Sequence, residues 1–458
     1  MGKQQDWFVS AYVFLFLSLA SEINCTSQQN VKDKDVINKL PGQPSINFKQ
    51  YGGYVPVDKS GKRFFYYYFV EAIKANSSPL VIWFNGGPGC SSLKGALTEN
   101  GPFRIQSDGK TLFRNPYSWN KEANMLYLES PADVGFSYTN TPKMQYIQEE
   151  QGKMTTNNNY VFLVNWLERF PEYKGREVYL TGQSFAGHSI PQLAQMVMHH
   201  NNHTFINLRG ILMGNPGLDI QVEEDKLEFY VQRGLASREM VENLKRLCAY
   251  KGKDVDDERK CREANENFSR MGKYLQEYNI YAPFKCLNET LTSKPKKHTS
   301  VMDYDPCDLI YLEAYLNKAN VQEVMHASNN TKLPFYWTQC NHDIKNDWDL
   351  DDYSASMLPI LHELMENGVR IFIYSGDVDS AVSVTATMST LKKMNLTVEN
   401  EWHPWFTERE VGGYTEKYKS NFTFATVRGA GHNVPTDQPI RALTIFTSFI
   451  RNINLPLS

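Results

Sequence analysis

Three short stretches carry residues whose types and order could perform nucleophilic acyl transfer. Ser184 lies in Gly182-Gln183-Ser184-Phe185-Ala186-Gly187, between an apolar run and a helix-like segment. A serine hydroxyl is a weak nucleophile, so it needs a base within reach and an acid that orients the base. Asp379 closes Tyr374-Ser375-Gly376-Asp377-Val378-Asp379, and His432 follows Arg428-Gly429-Ala430-Gly431. Both lie on glycine-bearing loops, where a scaffold presents reactive groups. His432 would take the proton from the Ser184 hydroxyl, and Asp379 would hold the imidazole in the right tautomer. Asp377 competes for the acid role. Asp379 is preferred because its place before Ser380-Ala381-Val382 suits the acid loop, and Asp377 is assigned to bracing the turn. The oxyanion formed on attack needs two preorganised backbone N–H groups. Gly87, within Asn85-Gly86-Gly87-Pro88-Gly89, and Phe185 can supply them. Neither His-Glu-x-x-His nor Cys-x-x-Cys occurs, so no metal site and no cofactor is expected.

The surrounding elements suit this task. Val178 to Leu180 reads as a strand, the serine occupies a sharp turn, and Gln192 to Met198 after Pro191 reads as a helix. Strand, turn with serine at the tip, then helix is the nucleophile elbow of an α/β-hydrolase. Gly182 and Ala186 flank the serine at two residues on either side, so the pattern G-x-S-x-G is missed by one methyl group. Pro79 to Phe84, Asn124 to Glu129, Leu208 to Met213 and Val369 to Tyr374 are short apolar runs, and a helical stretch covers Tyr160 to Glu168. That alternation predicts a mostly parallel sheet with helices on both faces. Gly52 to Val57 and Arg63 to Phe69, separated by Asp58-Lys59-Ser60-Gly61, predict a hairpin at its edge. The expected division is a signal peptide over 1–25, core over 26–215, a charged helical cap insertion over 216–347 and core again over 348–458. An exposed linker is expected near 288–300, around Lys294-Pro295-Lys296-Lys297.

Composition narrows the setting. A chain of 458 residues with 41% hydrophobic residues can bury a full core, and a net charge of −3 offers no footprint for nucleic acid or a membrane surface. Lys3 precedes an apolar run from Trp7 to Ala20, too short to favour a spanning helix and followed by small residues, which predicts a cleaved secretory signal. Once Cys25 leaves with that signal, six cysteines remain, an even number suited to an oxidising compartment. Asn76, Asn202, Asn267, Asn288, Asn329, Asn395 and Asn421 all begin glycosylation sequons. Location is therefore expected to be extracellular or vacuolar, with no membrane contact after signal removal.

Four blocks together resemble the serine carboxypeptidases. They are Asn85 to Ser92, Glu129 to Tyr138, Gly182 to Gly187 and Gly429 to Pro435. Trp166 to Arg176 and Val411 to Glu416 look like the plant type II branch. The resemblance implies an α/β-hydrolase fold with a helical insertion and removal of C-terminal residues from peptides and proteins; a homodimer is allowed. It also implies disulfides Cys90–Cys340, Cys248–Cys261 and Cys286–Cys307, with a linker near 288–300 excised to leave two disulfide-held chains. A terminal carboxylate would be bound by Asn85, Gly86 and glutamic acids kept protonated, of which Glu99 is one. The triad is intact against that family. A carboxypeptidase-like acyltransferase, or a binding protein on the same fold, is the alternative.

Several positions depart from the pattern: Gln183 where glutamate is usual, Asp133 for glycine, Phe185 for tyrosine, Ser189 for an aromatic and Ser383 for proline. Gln183 matters most. Two carboxyls sharing a site keep at least one proton between them, whereas an amide donates at any pH and removes the like charge beside Glu99. Gln183→Glu should therefore sharpen the preference for free-acid over amide substrates by about one to two powers of ten. An unchanged acid-to-amide ratio across pH 4–8 would show that position 183 does not read the carboxylate.

Overall fold

The computed structural model describes residues 30–141, 151–200, 206–219, 223–248, 255–284, 286, 290–295, 305–327 and 336–458. The expected signal segment with Cys25, the sequons at Asn202, Asn288 and Asn329, and part of the 288–300 stretch lie outside these residues. The strands, in chain order, begin with β1 (Gln50–Pro56), β2 (Arg63–Val70), β3 (Leu80–Phe84), β4 (Phe103–Ile105), β5 (Leu112–Arg114) and β6 (Asn124–Leu128). They continue with β7 (Tyr138–Thr139), β8 (Glu177–Gln183), β9 (Asn207–Gly214), β10 (Arg370–Gly376), β11 (Val398–Thr407), β12 (Glu410–Tyr418) and β13 (Phe422–Val427).

The large sheet has the order β1-β2-β6-β3-β8-β9-β10-β13-β12-β11, with β7 paired to β2. From β6 to β13 every neighbouring pair is parallel. Antiparallel hairpins close both edges, β1–β2 on one side and β12–β11 on the other. The β1–β2 turn is held by Asp58, whose Oδ1 accepts from the N–H groups of Lys62 and Arg63 at 2.9 and 2.8 Å.

Every residue of β3 and of β6 is buried, as a strand covered on both faces requires. Alternation divides their side chains between two cores. Phe65, Tyr67 and Phe69 of β2, with Leu80, Ile82 and Phe84 of β3, face one core. Tyr66, Tyr68, Val81 and Trp83 face the other. The first is covered by helices Gln151–Arg169, Ala186–His200, Leu358–Glu366 and Val384–Lys393, through Trp166, Leu193, Leu361 and Leu391. The second is covered chiefly by Pro439–Arg451, through Ile445, Phe446 and Phe449.

The stretch from residue 216 to residue 347 uses its helices in two places. Helices Arg238–Cys248 and Val255–Gly272 are joined by the Cys248–Cys261 disulfide. Helices Asp308–Leu316 and Ala319–Val324 instead pack Leu312, Tyr315, Leu316 and Val321 into the second core. Of the linker, residues 290–295 are exposed, and Thr292 is bonded to Ser107 on both backbone and hydroxyl. Cys286 joins Cys307, and Cys90 joins Cys340 across 250 residues. A closure of that length contributes about 5.5 kcal/mol in the chain-entropy account. No helix among the described residues is long and apolar enough to cross a membrane.

Beside the Cys90–Cys340 bridge lies Glu129, wholly buried at the end of β6. It accepts from Phe136 N at 2.6 Å, from Trp337 Nε1 at 3.0 Å and from the Ser91 hydroxyl. Burial outweighs these donors and pushes its carboxyl from 4.5 up to about 7. A carboxyl raised on folding favours the folded state when protonated, so its contribution is complete below the ordinary carboxylate range and lost as the pH approaches 7. A shift of this size corresponds to about 3 kcal/mol. The thermal unfolding midpoint should fall between pH 4.5 and pH 7, and Glu129→Gln should flatten that fall. A variant with the wild-type slope would remove Glu129 as its source.

Candidate active site

The carboxyl ends of β3, β8, β9, β10 and β13 lie along one edge of the sheet, the place where parallel sheets present loops to a ligand. β8 ends at Gln183, and Ser184 follows with φ +62°, outside the comfortable range of most side chains. The helix starts at Ala186, not after Pro191 as the sequence suggested. Pro191 lies in the second turn and forfeits one bond to the Gly187 carbonyl, while Ile190, Leu193, Ala194 and Val197 bury the face that holds the helix in place. The elbow needs small neighbours because a Cβ on Gly182 would stand 2.3 Å from Phe84 O. Gly86 is equally constrained. A Cβ there would lie 2.6 Å from both Phe185 N and Ser184 Cβ, so the Asn85–Gly89 loop passes directly over the serine turn. Among the described residues, the backbone N–H groups of Gly87 and Phe185 donate to no backbone acceptor.

The other sequence-predicted site residues meet here too. His432 Nδ1 is 2.6 Å from Asp379 Oδ2, with the histidine 4% exposed and the aspartate wholly buried. Asp379 also accepts from Asn215 Nδ2 at 2.8 Å and from Ala381 N at 2.8 Å. Asn215 follows β9 with φ +43° and accepts from Gly376 N, while the preceding Gly214 carbonyl accepts from Ser184 N at 3.0 Å. On the far side Gln183 Nε2 donates to Asn433 Oδ1 at 2.8 Å. A closed circuit of contacts therefore runs from the serine turn through Asn215, Asp379, His432 and Asn433 back to Gln183. Asp377 takes another place: its Oδ1 accepts from Gly429 N at 2.7 Å and its carbonyl from Arg233, which ties the acid loop to the base loop. Burial pushes the Asp377 carboxyl up.

A strap from the insertion crosses both loops. Ile280 N donates to Val378 O at 3.1 Å, Ser380 N to Glu277 O at 3.1 Å, and His432 N to Tyr278 O at 2.6 Å. Tyr278 also stacks on the His432 ring, centroids 4.6 Å apart and planes inclined by 14°. Asn279 donates to Asp437, which Gly431 N also holds and which burial pushes up to about 7. Sequence reading missed Asn215, Tyr278 and Asn279. An Asn-Pro pair just after a strand marks the first as a turn at the reactive edge; nothing local marks the other two.

Asn85, Glu99 and Gln183 converge beside the serine. Glu99 Oε1 accepts from Asn85 Nδ2 at 3.0 Å and Gln183 Nε2 at 3.1 Å. Lys94, which the sequence reading passed over, enters the same cluster: its Nζ lies 3.3 Å from Glu99 Oε1 and donates to Asn433 Oδ1 at 2.6 Å. An apolar wall faces the other side of the serine. Phe185 stacks on His188 and Tyr353 and meets Trp348 edge-on, with Val134 and Ile344 completing the cluster. Two departures find local reasons. Asp133 has φ +68°, a conformation in which glycine is easier and aspartate tolerable, and Ser383 caps the helix Val384–Lys393 by accepting from Ala386 N at 3.2 Å. Asn76, Asn267, Asn395 and Asn421 are all exposed. No group of metal-ligating side chains forms among the described residues.

A serine elbow on a parallel sheet of this topology places the protein in the class of α/β hydrolases. More narrowly, the chain belongs to the serine carboxypeptidase family, whose model matches residues 41–452. It is 56% identical to serine carboxypeptidase-like 38 of Arabidopsis thaliana, covering 100% of this chain and 99% of that protein. It is 40% identical to serine carboxypeptidase 24 of the same plant, over 97% of this chain and 99% of the relative. A prohormone-processing carboxypeptidase from Saccharomyces cerevisiae shares the fold, with a TM-score of 0.74 at 23% identity, over 92% of this chain and 96% of that one.

The distinct places of the two aspartates generate a contrast. Asp379→Asn should lower kcat by about four powers of ten, since the amide favours the wrong imidazole tautomer. Asp377→Asn, whose carboxyl bonds the Gly429 N–H and not His432, should cost no more than about tenfold. Steady-state kinetics on the two variants decides; the reverse ranking would move the acid role to Asp377.

Proposed function

We propose that this protein is a secreted or vacuolar serine carboxypeptidase that releases C-terminal amino acids from peptides and proteins through an acyl-enzyme. The observation that carries the reading is the buried Asp379–His432 pair, tied through Asn215 and through Asn433–Gln183 to both sides of the Ser184 turn. With Nδ1 committed to Asp379, the imidazole has Nε2 left to receive the Ser184 proton. The Ser184 oxygen then attacks the last peptide carbonyl, and the oxyanion forms against the N–H groups of Gly87 and Phe185. His432 returns the proton to the departing amine. Asp379 and its two further donors keep the ring aligned and stabilise the imidazolium. Water, deprotonated by the same ring, releases the acyl group from Ser184.

The cluster of Asn85, Gly86, Glu99 and Gln183 would bind the carboxylate of the departing residue. The wall of Phe185, Trp348, Tyr353 and Ile344 suits an apolar side chain on the acyl part. The oxidised cysteine pairs and exposed sequons suit an exported location. Gln183 favours one second reading: an acyltransferase that keeps the triad and passes the acyl group to an acceptor other than water.

A fluorophosphonate probe should label the wild-type protein at Ser184, while Ser184→Ala should take no label. Incubation with a blocked dipeptide should release the free C-terminal amino acid, at a rate reduced by several powers of ten in Ser184→Ala or His432→Ala. A labelled protein that consumes an activated ester only when an alcohol acceptor is present would establish the acyltransferase instead. Absence of labelling would leave a binding protein.

A further inference from the structure

We propose that Lys94 is a specificity-determining residue that reads the free carboxylate at the substrate's C-terminus. This inference rests on the carboxypeptidase reading of the site and adds to it a cation that the reading does not need.

The side chain of Lys94 is 9% exposed and reaches Asn433, to which Gln183 also donates. Those two residues are the sequence neighbours of Ser184 and His432, so the ammonium stands beside the reacting centre. Burying an ammonium is costly unless partners or a ligand compensate it. Its protein partners here are one amide oxygen and one carboxylate oxygen, Asn433 Oδ1 at 2.6 Å and Glu99 Oε1 at 3.3 Å, whereas an ammonium has three N–H donors.

The rest of the cluster is lopsided in the same direction. Glu99 Oε1 receives Asn85, Gln183 and Lys94, while the buried Glu99 Oε2 and Gln183 Oε1 have no partner. Buried polar atoms of a native protein are satisfied, so orphans at a reactive centre point to a group supplied by ligand. A Glu99 that carries its proton on Oε2 would donate to a carboxylate; an ionised Glu99 would leave the cluster neutral beside Lys94. In either state the site holds one positive charge more than it would without Lys94. The other charges facing this ammonium are Asp308 and Asp437, and Arg104 faces Glu99 and Asp308. Arg104 is buried against Pro435 O at 3.2 Å, and Asp437 is already held by Gly431 and Asn279. A carboxylate seated here would form charge-assisted bonds, which an amide in the same place could not match. Lys94 thus offsets the shared proton that a glutamate at position 183 would otherwise contribute.

The test compares wild type, Lys94→Met and Lys94→Arg in two assays. The first measures how well an N-acetyl amino acid and its carboxamide protect Ser184 from a fluorophosphonate, each normalised to the variant's own labelling rate. The second measures kcat and KM on a blocked dipeptide acid and on its amide. The wild type should prefer the acid, Lys94→Met should lose about 10- to 100-fold of that acid-to-amide ratio, chiefly in KM, and Lys94→Arg should recover most of it. A Lys94→Met protein that takes label and retains the wild-type ratio, or weakens acid and amide alike, overturns the proposal. If peptide acids are cleaved with a ratio independent of Lys94, the inference falls and the carboxypeptidase reading stands. If protection depends on Lys94 but no peptide is cleaved, the inference stands and that reading falls.

Discussion

The buried carboxylate of Asp379 is the constraint around which the reactive edge is arranged. A fully enclosed carboxylate is tolerable only when its lone pairs are taken, and here His432, Asn215 and Ala381 take them. Each donor comes from a different segment: the base loop, the end of β9 and the acid loop itself. Satisfying one side chain therefore fixes three loops relative to one another. The serine turn joins the same assembly through Gly214, which accepts from Ser184 N, and through Gln183 on Asn433. Precision at the site follows from this shared satisfaction, because any loop that drifted would strand a buried polar atom.

The strap around Tyr278 shows how the insertion takes part. Its backbone supplies donors and acceptors to both the acid and the base loops, and its ring lies flat on His432. A stacked ring excludes water from one face of the imidazole and limits its rotation. The insertion is thus an integral wall of the site, and its helices Asp308–Leu316 and Ala319–Val324 reach back into the core below the sheet. The Cys90–Cys340 bridge fastens the loop beyond Gly89 to the end of the same insertion.

Charge balance in the cluster of Asn85, Lys94, Glu99 and Gln183 follows a different logic from a shared-proton pair of carboxyls. Gln183 brings a neutral amide, Lys94 an ammonium and Glu99 the one carboxyl among the groups that touch. Electrostatic discrimination can then come from a fixed cation instead of from a proton whose presence depends on a second acid. Glu129, by contrast, is a carboxyl isolated from any cation among its bonded partners, and its raised affinity for a proton links the stability of the fold to acidity.

By itself the sequence determined the elements whose cause is local. Runs such as Leu80–Phe84 and Met125–Leu128 are apolar throughout, as a sheet covered on both faces accommodates. The small residues around Ser184 and the glycine-bearing loops at Asp379 and His432 singled these three out as candidates, because tight turns demand particular residue types. The sequence reading preferred Asp379 over Asp377 for the acid; in the structure Asp379 bonds His432 and Asp377 bonds the Gly429 N–H. What the tertiary structure alone decided rests on contacts between distant segments. Asn215 reaches Asp379 across 164 residues, Lys94 reaches Asn433 across 339, and the Tyr278 strap finds the base loop more than a hundred residues onward. Apart from the Asn-Pro pair at Asn215, nothing in the local pattern distinguishes these polar side chains from solvated ones. Their partners are set by strand order, since β9 lies between β8 and β10 and brings Asn215 to the acid. The early start of the Ala186–His200 helix has the same origin: burial of its apolar face overrides the local signal of Pro191.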